Sequence, residues 1–278
     1  MAGGHSGAMR LREGPSLEDS IAKVREAAAQ CNGVLNAMSG PENDQGWSAY
    51  MRWANTCEVV LRSIFVDPDV IGGLLTRRYW QLASQSITHM KAMVIGAEMS
   101  HQGERLTALA DAMKEFLVLR DPPGDLVMLD TNIMLHHQRI DKVPWREVIG
   151  SRETVRIVIP LVVLDELDNK KYLGSPKLID RARGAFMPLD ERQDEIERDG
   201  RAVLRDGVTV EYLRDPPDHQ RLTNPDAETI DRAVFLRRVT GRRVVVVTGD
   251  RGMRVRLTAR PDDLRAVTMP FRFAQDQT

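Results

Sequence analysis

The chain has 278 residues, 42% hydrophobic and 28% charged, which is enough apolar content for a packed core and excludes wholesale disorder. Its 39 basic and 40 acidic residues leave a net charge of −1, which excludes a globally basic nucleic-acid coat protein but leaves room for a local basic surface. Cys31 and Cys57 lack CxxC spacing and neighbouring histidines, arguing against a disulfide scaffold or structural zinc, and no apolar run reaches the roughly 18 residues of a membrane span.

Residues 1–15, MAGGHSGAMRLREGP, have no apolar core of signal-peptide length and read as a flexible lead-in. Together with the scarcity of cysteine, this predicts a cytoplasmic protein. Ser16 followed by Asp19 resembles a capping box, and Ile21, Val24, Ala28, Cys31, Val34 and Leu35 then recur at helical spacing. A second helix is expected from about 45 to 65, stopped by Asp67-Pro68. A third and fourth are expected over 76–119, interrupted near 100–103. Residues 16–120 thus read as an all-α bundle, with Trp47, Trp53, Tyr79 and Trp80 as core.

Asp121-Pro122-Pro123-Gly124 breaks any helix, so 121–125 is expected to be a linker. Beyond it the texture changes. Short apolar strands are expected at 126–129, 155–159, 208–213, 244–247 and 266–269. Helices are expected at 144–149, 161–172, 178–198, 226–239 and 252–257. Apolar strands alternating with helices indicate an α/β domain over 126–270, a mostly parallel sheet flanked by helices, followed by a tail at 271–278.

Open parallel sheets bind ligands beyond the carboxyl ends of their strands. Asp130-Thr131-Asn132 follows the first strand, Glu166 lies in the helix after the second, Asp226 and Glu228 open a later helix, and Asp250 follows the four-valine strand. Each acid alone has a local explanation as a helix cap or a first-turn acid. Jointly, a sheet edge that gathers them creates carboxylate repulsion that a divalent cation removes. Mg²⁺ and Mn²⁺ prefer such hard oxygen donors, and two ions about 4 Å apart suit in-line hydrolysis of a phosphodiester.

In this order the motifs resemble those of the PIN-domain nucleases: Val127-Met128-Leu129-Asp130-Thr131-Asn132; Ile157-Val158-Ile159-Pro160 with Glu166 in the next helix; and the valine strand ending in Thr248-Gly249-Asp250. The resemblance spans roughly 126–270. It implies that Asp130, Glu166, Asp226 and Asp250 form a catalytic metal cluster. Glu228 competes with Asp226 for the third place, because the family's spacing of this acid before an isoleucine fits neither residue fully. It implies supporting roles for Thr131, Asn132 and Thr248. The implied activity is Mg²⁺- or Mn²⁺-dependent hydrolysis of single-stranded RNA by a cation-activated water, in RNA turnover, defence or as a toxin.

A nuclease must also hold a polyanion. Lys170, Lys171, Arg181, Arg183, Arg251 and Arg254 are the expected phosphate contacts. Arg237, Arg238, Arg242 and Arg243 sit at a helix C-terminus, where cations are favoured regardless. His136 and His137 are adjacent, so they do not face one site and read as surface or loop residues. An uncontrolled ribonuclease is harmful, so an inhibitory or regulatory protein partner, or assembly into a homo-oligomer, is expected. A different class of function is a catalytically weak RNA- or protein-binding module on the same fold. A haloacid-dehalogenase-type phosphatase is disfavoured because Asn132 stands where its second aspartate belongs.

Overall fold

The computed structural model describes residues 10–37, 43–86, 90–216, 219–259 and 264–275. The chain divides into two compact units, Met1–Arg120 with Pro216–Gln220, and Asp121–Asp215 with Arg221–Thr278. Among the described residues, no helix is long and apolar enough to cross a membrane.

The first unit is helical: α1 (Leu17–Ala37), α2 (Asn43–Ile64), α3 (Pro68–Gly72), α4 (Arg77–Ala83), α5 (Lys91–Lys114) and α6 (Leu117–Arg120). Ser16 starts α1 as its spacing predicts, its hydroxyl accepting the Asp19 N–H at 3.0 Å. Asp67 ends the α2 segment and caps α3 through the Asp69 N–H at 2.9 Å. Of the lead-in expected over 1–15, only 10–15 lies among the described residues, and there Leu11 is buried and bridged to Phe65.

The interruption expected near 100–103 does not occur, since α5 runs straight through it. The polar residues there are held inside the helix. Gln102 donates to the Gly73 carbonyl at 2.8 Å and to buried Glu98 at 2.9 Å, and Arg105 donates to Gln102 at 2.9 Å. Gln102 and Arg105 are good helix formers, and the bonds of Gln102 to Gly73 and of Arg105 to the Val70 carbonyl anchor α5 to the chain before it. Trp53 is core and donates to the Ala27 carbonyl at 2.9 Å. Trp80, expected to be core, is 59% exposed and meets Tyr79 edge-on.

The second unit contains β1 (Asp125–Leu129), α7 (Thr131–His136), α8 (Trp145–Ile149), β2 (Val155–Pro160), α9 (Leu161–Tyr172), α10 (Pro176–Asp190), α11 (Gln193–Asp199), β3 (Arg201–Arg205), β4 (Val208–Leu213), α12 (Pro225–Thr240), β5 (Val244–Val247), α13 (Arg251–Thr258), β6 (Leu264–Val267) and a short 3₁₀ turn at Phe271–Phe273. The six strands lie in the order β3-β4-β2-β1-β5-β6, all parallel except β3. The strands β1, β2 and β5 are buried along almost their whole length, which is why they read as continuous apolar runs.

Two expectations are corrected. The single helix over 178–198 is two, α10 and α11, and the chain then turns through Gly200, at φ +76°, into the antiparallel edge strand β3. Five residues alternating exposed and buried, Arg-Ala-Val-Leu-Arg, are too short a pattern to separate from a helix end. The last strand begins at Leu264 rather than 266, set by its pairing with β5.

The segment expected as a linker is pinned to this unit. Gly124 has φ +123°, and a Cβ there would fall 2.5 Å from the Thr154 carbonyl oxygen. Arg156, a buried residue of β2, pairs with Glu211 of β4 at 2.6 Å and donates to the Pro122 carbonyl at 2.9 Å; Arg242 donates to the same carbonyl at 2.6 Å. Arg242 therefore has a structural task beyond complementing its helix end.

Candidate metal centre

The strand β1 is flanked by β2 on one side and β5 on the other, so the connections leaving its carboxyl end diverge. This is the switch point at which open α/β sheets form a crevice. The register Leu129↔Val247 sets the residues after β1 and β5 side by side, and the Asp130 N–H donates to the Val247 carbonyl at 3.2 Å.

Asp130 is 5% exposed. One carboxylate oxygen caps α7 by accepting the Ile133 N–H at 2.7 Å, and the other accepts the Thr248 hydroxyl. The cap explanation and the site explanation of this residue thus coexist, one on each oxygen. Burial raises its pKa above the ordinary aspartate value. The bonds from Thr248, Ile133 and Gly249 oppose that rise, and the negative charge of Asp226 adds to it.

Thr248, fully buried, ties two acids together. Its hydroxyl donates to Asp130 and accepts the Asp250 N–H at 3.0 Å. Asp250 is exposed and caps α13 through the Met253 N–H at 2.5 Å. On the other side of Asp130, Thr131 opens α7, and its hydroxyl donates to Glu166 of α9 at 2.5 Å. Asn132 sits on the exposed face of α7.

The two competitors for the third acid occupy different surroundings. Asp226, the second residue of α12 behind the Asn224 cap and Pro225, is about half exposed, with its Oδ2 3.2 Å from Arg256 of α13. Glu228 is fully buried. It accepts the Leu222 N–H at 2.8 Å and lies 3.1 Å from Arg232, which also pairs with Asp231 at 2.6 Å. Glu228 is committed to organising the start of its own helix, whereas Asp226 acts electrostatically on Asp130. Asp165 and Asp168 are exposed on α9 and take Arg221 and Lys171 respectively.

The basic residues divide by commitment. Lys171 is 3.4 Å from Asp168, with its ammonium 3.5 Å from the centre of the Phe186 ring. Arg181 meets the His136 ring nitrogen Nδ1 at 2.8 Å, Arg183 lies 3.8 Å from Asp180, and Arg254 donates to Thr268 at 2.8 Å. Lys170 is half-buried on α9, and Arg251 is exposed beside Asp250. His137 is half-buried in the segment that follows α7; burial lowers its pKa, and its backbone bridges to Ala274.

Reading the sequence missed Arg221 and Arg256, both paired with acids remote in sequence. No local signal marks them, because their partners come from other helices. The groups tied together at the ends of β1 and β5 are carboxylates and hydroxyls, Thr248 on Asp130 and Thr131 on Glu166, and these are hard oxygen donors of the kind Mg²⁺ and Mn²⁺ take.

A search of curated proteins returned no match. The family model of the PIN domain, a nuclease-type fold whose members act on nucleic acids and commonly use divalent metals, matches residues 127–269. That span covers the strand before Asp130, Glu166, the α12 acids and Asp250, and it is more than half of the chain; the protein belongs to the PIN domain family.

Proposed function

We propose that the domain is a Mg²⁺- or Mn²⁺-dependent endoribonuclease that hydrolyses single-stranded RNA, with Asp130, Glu166, Asp226 and Asp250 as its acidic cluster. The observation that carries the reading is the tie made by Thr248 between the ends of β1 and β5: its hydroxyl donates to Asp130 and accepts the Asp250 N–H, while Thr131, next to Asp130, donates to Glu166. Asp130 and Asp250 are 120 positions apart in sequence. Glu228 is left out of the cluster because its carboxylate is already engaged by Leu222 and Arg232.

Divalent ions, when bound, would neutralise the scissile phosphate and acidify an attacking water. The chain's own residues do the positioning. Thr248 fixes the orientation of Asp130 and, through the Asp250 N–H, the turn that carries Asp250. Thr131 fixes Glu166. Lys170, Arg181, Arg183, Arg251 and Arg254 supply positive charge for the polyanion, with Lys171 held back by Asp168 and Phe186. No side chain is required as a covalent nucleophile. Such an enzyme would act in the cytoplasm, in RNA turnover or defence or as a toxin, restrained by a protein partner or by self-association.

Single-stranded RNA and DNA oligonucleotides incubated with Mn²⁺ and either the native chain or Asp130→Asn test this. Cleavage of RNA by the native chain alone is expected. A second reading, a weakly catalytic binding module, is favoured by one feature, the engagement of Asp226 by Arg256. Equal, negligible cleavage by both proteins, with RNA still bound, would establish that reading instead.

A further inference from the structure

Arg256 gives the acidic cluster an internal counter-ion. It lies in the second turn of α13, the helix that Asp250 caps, and reaches α12, where its guanidinium is 3.2 Å from Asp226 Oδ2. Its Nε also donates to the Gly252 carbonyl at 3.4 Å, which keeps the side chain along α13 and aimed at Asp226. Two of the ion pairs on α12 have opposite character. Arg232–Glu228 has side chains 1% and 0% exposed, whereas Arg256–Asp226 is 44% and 43% exposed.

The difference has a chemical consequence. A buried pair is hard to break, because the partner left behind is an uncompensated charge. An exposed pair contributes little and dissociates readily. A divalent cation carries twice the charge of a guanidinium and binds carboxylate oxygen directly, at about 2.0–2.2 Å for Mg²⁺. Among the described residues, Asp226 is the member of the cluster seen in an ion pair, and it is held in one that a divalent ion can displace.

We propose that Arg256 is a positioning residue that holds Asp226 in the cation-free cluster and competes with the divalent ion for it, setting the cation concentration at which the site fills. The inference rests on the reading of Asp226 as a cation ligand. It also accounts for the arginine on Asp226 without requiring a catalytically weak domain, since the pair is a displaceable resting state.

The test is Mn²⁺ binding to the full chain without RNA, followed by the paramagnetic resonance signal of the free ion. Four proteins are compared: native, Arg256→Ala, Asp226→Asn and the double variant, each checked for folding by circular dichroism. Arg256→Ala should bind Mn²⁺ about two- to fivefold more tightly, the range set by a weak exposed pair. Asp226→Asn should bind more weakly, and adding Arg256→Ala to it should change nothing further, because the competition acts only through Asp226. Arg256→Lys, which retains the charge, should restore near-native affinity, and Arg256→Gln serves if the alanine variant misfolds. Equal affinity of native and Arg256→Ala proteins, or the same gain in the Asp226→Asn background, would overturn the inference while leaving the metal centre standing. Absence of any Mn²⁺ binding by the native chain would remove the metal centre and the inference together.

Discussion

The hydroxyl of Thr248 donates to the same carboxylate of Asp130 whose other oxygen caps α7 through Ile133. This bond joins the ends of two neighbouring parallel strands at the sheet's switch point, and it fixes a buried acid from both sides. Replacing Thr248 by Val should leave Asp130 short of one charge-assisted bond and cost about 1.5–3 kcal/mol of stability. Cleavage should fall by about 10–100-fold, as for loss of a residue that orients a ligand. Thr248→Ser should retain most of both. Urea unfolding and Mn²⁺-dependent RNA cleavage of the two variants check this, and native behaviour of the valine variant would deny Thr248 its role.

Asp130 makes stability depend on pH. Its folded pKa is raised, chiefly by burial and then by the charge of Asp226. A raised pKa contributes stability that is fully present below the unfolded value, near 3.9, and is lost as pH rises through the folded value. The metal-free native chain should therefore lose stability over that window. Asp130→Asn, which can still cap α7, should lose less and be the more stable protein at pH 7 while failing to cleave RNA. Added Mn²⁺ should stabilise the native chain and not the variant. Thermal melting from pH 4 to 8, with and without Mn²⁺, measures these differences; a steeper decline in the variant would contradict the assignment.

Glu228 and Asp226 should respond oppositely to neutralisation. Glu228→Gln weakens a fully buried pair with Arg232 and should cost up to about 3–5 kcal/mol, seen as a lowered denaturation midpoint. Asp226→Asn touches only an exposed pair, so its midpoint should move by less than about 1 kcal/mol while Mn²⁺ affinity and cleavage drop. If Glu228→Gln were stable and Asp226→Asn still bound Mn²⁺ normally, the two residues would exchange roles.

The Arg156–Glu211 pair fastens residues 122–124 to the sheet. Arg156→Ala strands a buried carboxylate whose pKa burial already raises, and should destabilise by about 3–5 kcal/mol. Arg156→Met combined with Glu211→Leu should recover much of that loss, because no buried charge remains unpaired. Calorimetric melting of the single and double variants decides it. A double variant no better than the single would mean that the bond to Pro122 matters more than the pair.

How much of this was legible in the sequence follows from where the information resides. The valine run at 244–247 could be read as a buried strand, and the span of α9 could be read to the residue, because burial and helical period are local properties. The acids at strand ends could be read because parallel sheets place functional groups there. The edge strand β3 was hidden, since five alternating residues after a helix carry too little pattern. The unbroken α5 was hidden because the carbonyls of Gly73 and Val70 that hold Gln102 and Arg105 are brought there by the tertiary structure.

By itself the sequence determined the α/β class of the second unit and the order of its motifs, and it pointed to Asp130 and Asp250 after two of the strands and to Glu166 in α9. It favoured Asp226 narrowly over Glu228, two positions away at the same helix start. The tertiary structure gives the two different surroundings, burying Glu228 against Arg232 and leaving Asp226 half exposed opposite Arg256. The physical reason is that a carboxylate's role depends on its solvation and on the charges facing it, and these are supplied by side chains the sequence does not place nearby.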